Sequence, residues 1–537
     1  MRTILKRLIL FVALVLTIAS CKQDIGGSEW DVDVLAPVIK TTLTMADLLA
    51  DSLLTADAQG GLRFKIETSL IDLPLDSILK IPDTTISKSI SLGVNLNNIP
   101  PGTQLLPVTD ATQYELGDLA LKKVIVREGT LKLKVSSVLG TKIEFEYSIP
   151  GANKIGSVFQ TAQTLEAGTS SNPSTLDLEF DLSGYSIDLT GITGTGFNTL
   201  ATVFVIKTAE DGGAVDIIAN QEFFNLEYSF VGILLDYGLG YFGQQSTNSE
   251  NETTDFDVLN RITDGQMFLD SVTIGLSLTN PVGADARFKL DEFGSINTRT
   301  NSTVNLSHQV VGSNVLLSRA QDISGTAESV IPNEAHYELN DANSNIKQFI
   351  ENLPDQLSFT FGFDLNPLGN VSAGNDFFYY DRPFQALMDI DIPLRTTLTN
   401  LTLVDTLDWN LSSLGVVESV NSGSFTLIAN NAMPLEGLVE LILMDENFAE
   451  LDTLLVPSTI AAPPLDAGNK VISPVESRIL IPIPDKTSNV LTQTKKVRIR
   501  VRFNTANQPN LIEFYDTNFI DVKLIGNFNI NFGAGTF

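Results

Sequence analysis

The feature that most constrains this chain is the strict alternation of apolar and polar residues in short runs. Val124, Val126, Leu131, Leu133 and Val135 alternate with charged or polar neighbours. Ile143, Phe145 and Tyr147 alternate with Lys142, Glu144 and Glu146, and Leu176, Leu178, Phe180 and Leu182 with Asp177, Glu179 and Asp181. Near the end, Val497, Ile499, Val501 and Phe503 alternate with Arg498, Arg500 and Arg502. A period of two puts every second side chain on one face of a strand, half buried and half solvated. Gly, Asn, Asp and Pro punctuate the runs at short intervals, as turns require. The clearest helical stretch is Ser344 to Asn352, with Ile346, Phe349, Ile350 and Leu353 on one face and Pro354 closing it. The expected fold class is all-β and multi-domain, with tandem β-sandwich-like domains and minimal helix.

Three segments repeat one plan. Gly129–Val138, Val272–Pro281 and Gly423–Asn431 are alternating strands that end in small polar residues, the last followed by Met433-Pro434. Each leads through a few residues into a second apolar or alternating run at Ile143–Tyr147, Ala284–Leu290 and Leu438–Leu443. Pro cannot donate to a strand ladder, so Pro281 and Pro434 end their strands at fixed places. The spacing of roughly 150 residues suits whole domains. It divides the chain into a leader (1–20), a lipidated cysteine and tether (21–37), and β domains at 38–192, 193–340 and 341–537.

The chain opens with Arg2, Lys6 and Arg7, an apolar run from Leu8 to Leu16, and then Thr17-Ile-Ala-Ser-Cys21. A charged start, a short apolar stretch and small residues before a cut describe a secretory signal peptide. The run is shorter than the roughly 20 residues that span a bilayer. Ile18-Ala-Ser-Cys21 resembles the lipobox of bacterial lipoproteins. That resemblance implies that Cys21, the chain's one cysteine, is diacylated on sulfur, becomes the new N-terminus and is then N-acylated. Two or more acyl chains hold a protein at a bilayer where one is marginal. Lys22 after the anchor looks compatible with outer-membrane sorting.

Broader resemblances are local. Strand-Asn280-Pro281 is similar to a feature of late-embryogenesis-abundant type 2 β-sandwiches. Gly240-Tyr-Phe-Gly-Gln, Asn343-Ser-Asn-Ile, Asp405-Thr-Leu, Asn431-Ala-Met-Pro-Leu and Phe503-Asn-Thr-Ala resemble segments of uncharacterised lipid-anchored proteins of the Bacteroidota outer membrane. They imply an envelope location and a β fold, and no reaction.

Charge excludes one class of partner. With 34 Lys+Arg against 64 Asp+Glu the net charge is −30, and −33 once the leader's three cations are gone. Such a surface repels phosphate backbones, so no nucleic-acid partner is expected. Hydrophobic residues at 43% supply large cores and argue against disorder. With Cys21 consumed by lipid, no thiol remains for disulfides, zinc or nucleophilic catalysis.

Few residues of the chain are arranged for chemistry. His308 and His336 lie in separate polar segments, with no second ligand at metal spacing. No nucleophile elbow, phosphate loop or zinc-protease helix appears. Asp31-Val-Asp33 and Asp445-Glu-Asn447 read as solvated acidic turns rather than calcium loops. No catalytic residue, cofactor or metal is expected, and the chain reads as a non-enzyme. Phe377-Phe378-Tyr379-Tyr380 is the one dense aromatic cluster, a candidate ligand platform whose plainer reading is a strand at a core edge. Of 42 aromatic residues 30 are Phe and only 2 are Trp, which places most rings in dry interiors and speaks against a sugar platform. Tyr237-Gly-Leu-Gly-Tyr-Phe-Gly243 reads as a bend where backbones pack closely, and Gln244–Asp255 as a solvated loop. Asp-Ser/Thr sites resembling the O-glycosylation acceptor of that phylum occur at Ser52, Ser77, Thr84, Thr406 and Thr453, and at Ser271 on a repeat strand.

The reading that follows is a non-enzymatic binding or scaffold protein at the outer membrane, held by its acyl chains and facing an envelope protein or an amphiphilic ligand. Two further readings stay open. One is a carrier of lipid or another amphiphile in an apolar groove, for which the positive mean hydropathy of +0.13 beside so large a net charge is the motive. The other is a glycan-binding surface lipoprotein.

Overall fold

The computed structural model describes residues 30–532, except 49–53, 76–80, 260, 324, 410–419, 485–486, 488–489 and 492. The fold is all-β, 63% strand and 4% helix, in many antiparallel sheets. Alternation dictates the local result: Leu131, Leu133 and Val135 are fully buried while Lys132 and Lys134 between them are exposed. The helix runs from Ile346 to Glu351 and buries Ile346, Phe349 and Ile350. Among the described residues no helix is long and apolar enough to cross a membrane.

The chain forms two compact units, and neither is continuous in sequence. One holds residues 65–257 and 271–392; the other holds residues up to 64, 258–270 and 393 onward. Boundaries at 192/193 and 340/341 therefore do not separate domains. Thr199–Thr208 pairs with Gln104–Gln113 and Ile143–Lys154, so a cut at 192 falls inside one sheet. Gln356–Leu365 pairs with Ala286–Asn297 across the second cut. The tether is also shorter than 21–37, because a strand begins at Trp30 and pairs with the C-terminal strand, Trp30 opposite Phe532. Repeat spacing finds look-alike segments, but strand partners are chosen by which hydrogen-bonding edges remain open, at any separation.

In the first unit, a ten-stranded sheet is organised around the long strands Ala120–Ser137 and Glu222–Tyr241. Tyr237–Tyr241 belongs to the second of these, so it is strand rather than bend. The close approach there is real: a Cβ on Gly240 would lie 2.4 Å from the Ala120 carbonyl oxygen. Gln244–Asp255 is likewise more than loop, since Gln245–Asn248 and Glu252–Asp255 pair with Gln356–Leu365. Besides two small two-stranded sheets, the same unit carries two larger ones, one containing Thr273–Asn280 and Phe384–Pro393, the other Ala286–Asn297 and Gln356–Leu365. Phe288 and Phe363 reach from the latter to Phe384 on the former, with ring centroids 5.6 and 4.9 Å apart, so aromatics fill the space between the sheets.

The second unit is a two-sheet sandwich. Its main strands are β1 (Trp30–Thr44), β2 (Ile262–Leu269), β3 (Arg395–Asp408), β4 (Val420–Asn431), β5 (Leu435–Met444), β6 (Glu450–Leu455), β7 (Val475–Ile483), β8 (Lys496–Thr505) and β9 (Phe519–Phe532), with a helical turn, α1 (Met45–Leu48), after β1. One sheet has the order β1-β9-β4-β7 and the other β2-β3-β8-β5-β6, with the short strand Ile512–Glu513 also paired to the start of β3.

The repeated segments share an unexpected topology. β4 and β5 are consecutive yet sit in different sheets, and so do Thr273–Asn280 and Ala286–Asn297. Ala120–Ser137 and Ile143–Lys154 share a sheet but do not pair with each other. The repeat is not a hairpin. In its second and third copies it is an arch that carries the chain from one sheet to another.

Candidate functional site

Facing sheets stand about 10 Å apart, and the inward side chains must fill that gap. In the second unit they do not. The inward residues of β8 are Val497, Ile499, Val501 and Phe503; across the gap, β9 offers Ile520, Val522 and Leu524. Most are branched aliphatics where the other unit uses Phe, and they leave a cavity of about 820 Å³. Ile499, Val501 and Val522 lie on central strands, where a packed sandwich is driest, yet each is only half-buried. Val439, Leu441, Val456, Ile460 and Ile481 close the opposite flank and are buried. One end is stoppered by aromatics: Trp409 packs edge-on against Phe425 with centroids 5.7 Å apart, and Phe425 against Phe528 at 5.6 Å.

The mouth follows from strand pairing. β2 pairs with β3 only from Thr396 to Leu403, so residues 404–408 have no partner on that side among the described residues. β1 is the outer strand of the other sheet, paired on one side with β9. Exposed residues from both edges line the cavity: Pro37, Lys40 and Thr41 from β1, Asp405 and Asp408 from β3. Asp47 and Arg261 complete the rim, and the Arg261 guanidinium donates to the Asp47 carbonyl. Lys496 donates to Asp408 at 2.8 Å and holds that carboxyl below the usual aspartate range. The arrangement is an apolar pocket with a charged rim. It can desolvate a hydrocarbon chain and keep a polar head in water. Its size falls within the range of small-molecule sites.

The residues singled out from sequence lie elsewhere. Cys21, Ser52 and Ser77 are outside the described residues. Phe377, Phe378 and Tyr379 are buried and Tyr380 is half-buried, so the cluster presents no open platform. Asp376–Tyr379 pairs with residues 237–240, Phe378 packs against Phe242, and a Cβ on Gly238 or Gly283 would strike Phe378 or Phe377. Tyr379 donates to Asp322 at 2.7 Å, and Tyr380 lies under the Arg127 guanidinium, 3.4 Å from the ring centroid. Thr84 and Thr406 are half-buried; Thr453 and Ser271 are exposed. His308 is buried, its Nδ1 accepting from the Val310 amide, and burial lowers its pKa. His336 is exposed beside Ser277 and Glu334. Asp445 accepts from the amides of Asn447 and Ala449, as a turn does, and Asp33 from Asn529. Among the described residues no three His, Cys, Asp or Glu side chains converge on a metal position.

Sequence reasoning missed the cleft because its walls are far apart in the chain. The available signal was the poverty of aromatics at alternating positions of β8, against Phe288, Phe359 and Phe363 in the other unit.

No family model and no curated protein matches the chain. Among solved structures, a candidate secreted protein of Parabacteroides distasonis ATCC 8503 aligns with 12% identity and a TM-score of 0.26, over 53% of this chain and 88% of its own. The VP2 subviral particle of infectious bursal disease virus aligns with 8% identity and a TM-score of 0.10, over 91% and 86%. Both likenesses are too loose to bear on fold or function.

Proposed function

We propose that this chain is a non-enzymatic, lipid-anchored protein of the bacterial outer membrane that binds the apolar tail of an amphiphile. The observation that carries the reading is the open cleft between the two sheets of the second unit, about 820 Å³ and walled by Leu403, Val439, Ile499, Val501 and Val522. Transfer of a hydrocarbon chain into such a site gains about 0.8 kcal/mol per methylene. Leaving aliphatic walls wet has no structural benefit, whereas an acyl tail would cover them. The anchor and location rest on the charged leader and Ile18-Ala-Ser-Cys21. The glycan reading loses its support with the burial of Phe377, Phe378 and Tyr379.

Native mass spectrometry on the chain from Lys22 onward, exported to a bacterial periplasm, tests this. Lipid-sized adducts that vanish on denaturation are the expected result. A bare mass, together with no uptake of added fatty acid, would leave the scaffold reading in its place.

A further inference from the structure

Among the described residues the rim of the cleft carries five charged side chains, and strand register sorts them. Asp405 stands opposite Ile499, which stands opposite Leu441, so the three form one inward row across β3, β8 and β5. Leu403 and Leu407, two residues to either side of Asp405, point the same way. Asp405 is thus a carboxylate set into an apolar wall, at the strand position where the wall meets the mouth. Lys40 stands opposite Lys523 in the alternate register, so it points away from the cleft interior. The other rim charges are engaged: Asp47 accepts from the amide and hydroxyl of Thr44, Asp408 from Lys496, and Arg261 donates to the Asp47 carbonyl. The Asp405 carboxylate accepts only its neighbour's amide, Thr406, at 2.8 Å through Oδ1, and no cation pairs with it among the described residues.

We propose that Asp405 receives a cationic amine, so that the cleft selects single-chain amphiphiles with an amine head over those with an acid head. This rests on the amphiphile reading above and adds the head to the tail. An unpaired carboxylate beside a low-dielectric wall gains more from a cation than one in open water. The strongly negative field of the whole chain draws the same sign of ligand to the mouth.

Displacement of an apolar fluorescent dye from the chain beginning at Lys22 tests it, with decylammonium, decanoate and decyl glucoside as three competitors of equal tail. Decylammonium is expected to bind about fivefold more tightly than decanoate, the size of one partly screened ion pair. Asp405→Asn keeps the Oδ1 acceptor for Thr406 and should abolish that preference while leaving decyl glucoside unchanged. Glu476→Gln removes an equal charge from the exposed outer side of β7 and should leave the preference intact. Equal affinity of the two charged probes overturns the proposal. So does a preference that survives Asp405→Asn, or one that falls as far in Glu476→Gln. If neither the dye nor decyl glucoside binds, the amphiphile reading fails as well, which separates the two outcomes.

Discussion

Asn280 and Asn431 make the same three hydrogen bonds in two different units. Asn280 Nδ2 donates to the carbonyls of Ala284 and Ser318, and its Oδ1 accepts from the Val282 amide. Asn431 Nδ2 donates to Leu435 and Ala461, and its Oδ1 accepts from Met433. Both side chains are 0% exposed. Each sits where the chain leaves one sheet for another, a place where backbone groups lose their ladder partners. The amide supplies the missing donor and acceptor together. Ser137 does part of this in the first repeat, donating to Phe223 and accepting from Leu139. Replacing either Asn by Ala leaves two carbonyls and an amide buried without partners, and should cost about 3 kcal/mol. Ser137→Ala, with one donor and one acceptor removed, should cost about 1 kcal/mol. Urea unfolding of the three variants checks the order; equal losses would refute the shared role.

The two interiors should respond differently to truncation. Leu133→Ala opens a hole in a packed core and should cost about 3 kcal/mol. Ile499→Ala widens a space that already exists, and should cost about 1 kcal/mol. The converse change, Val501→Trp, places an indole inside the cleft. It should hold or raise the melting temperature and abolish dye uptake. A large loss of stability in Val501→Trp would mean that the space is not there to be filled.

Trp409 offers a reporter for entry. It is buried at the stoppered end of the cleft, and Trp30 is the only other tryptophan. In a Trp30→Phe background, a fatty acid brominated near its tail end should quench the remaining emission in a saturable way. One brominated beside its carboxylate should quench less. Equal quenching by both would place the tail elsewhere.

Alkaline pH should find the ten-stranded sheet. Tyr147 and Tyr228 are buried within it and Tyr114 just past the end of its strand Gln104–Gln113, and burial pushes all three phenols above their ordinary value of 10.0. For Tyr228 the hydroxyl is within 2.9 Å of Thr112 Oγ1. A phenol whose pKa is raised by folding contributes stability that is intact below its unfolded value and lost as pH rises past it. Unfolding should therefore become easier above pH 10, and the tyrosinate absorbance of these rings should appear with unfolding rather than before it. Tyr147→Phe removes an ionisable group whose hydroxyl has no partner among the described residues and should move the alkaline transition upward.

The acid side has its own marker. Burial raises the Asp110 carboxyl, but hydrogen bonds from Lys88 and Thr112 outweigh it, and the net shift is downward. A carboxyl lowered by folding contributes stability that is present above its unfolded value of 3.8 and lost as pH falls through the folded one. Lys88→Met should flatten the stability profile below pH 3.8. An unchanged acid limb would show that the pair is too screened to matter.

Much of this was legible in the residues. Alternation at Leu131–Val135 and Val497–Phe503 announces strands because a period of two has only one regular geometry, and Ile346, Phe349 and Ile350 announce a helix by their spacing. The polar ends at Ser137, Asn280 and Asn431 mark a repeated device. What the device does could not be read, since an arch and a hairpin need the same alternation and the same break. The aromatic run Phe377–Tyr380 misleads for a related reason. Its burial depends on Gly238 and Gly283, which lie about 100 residues away or more and admit its rings.

The sequence by itself determined the all-β class, the helix at Ile346–Glu351, the burial of alternate residues and the sign of the molecule's field, because each depends on neighbours in the chain or on composition alone. Tertiary structure decided that Trp30–Thr44 pairs with Phe519–Phe532, that two discontinuous units replace three tandem ones, and that a cleft remains between the sheets of one of them. Those outcomes turn on which strand edges find each other and on how far facing side chains reach across the gap. Both are sums over residues hundreds of positions apart, to which no local pattern has access.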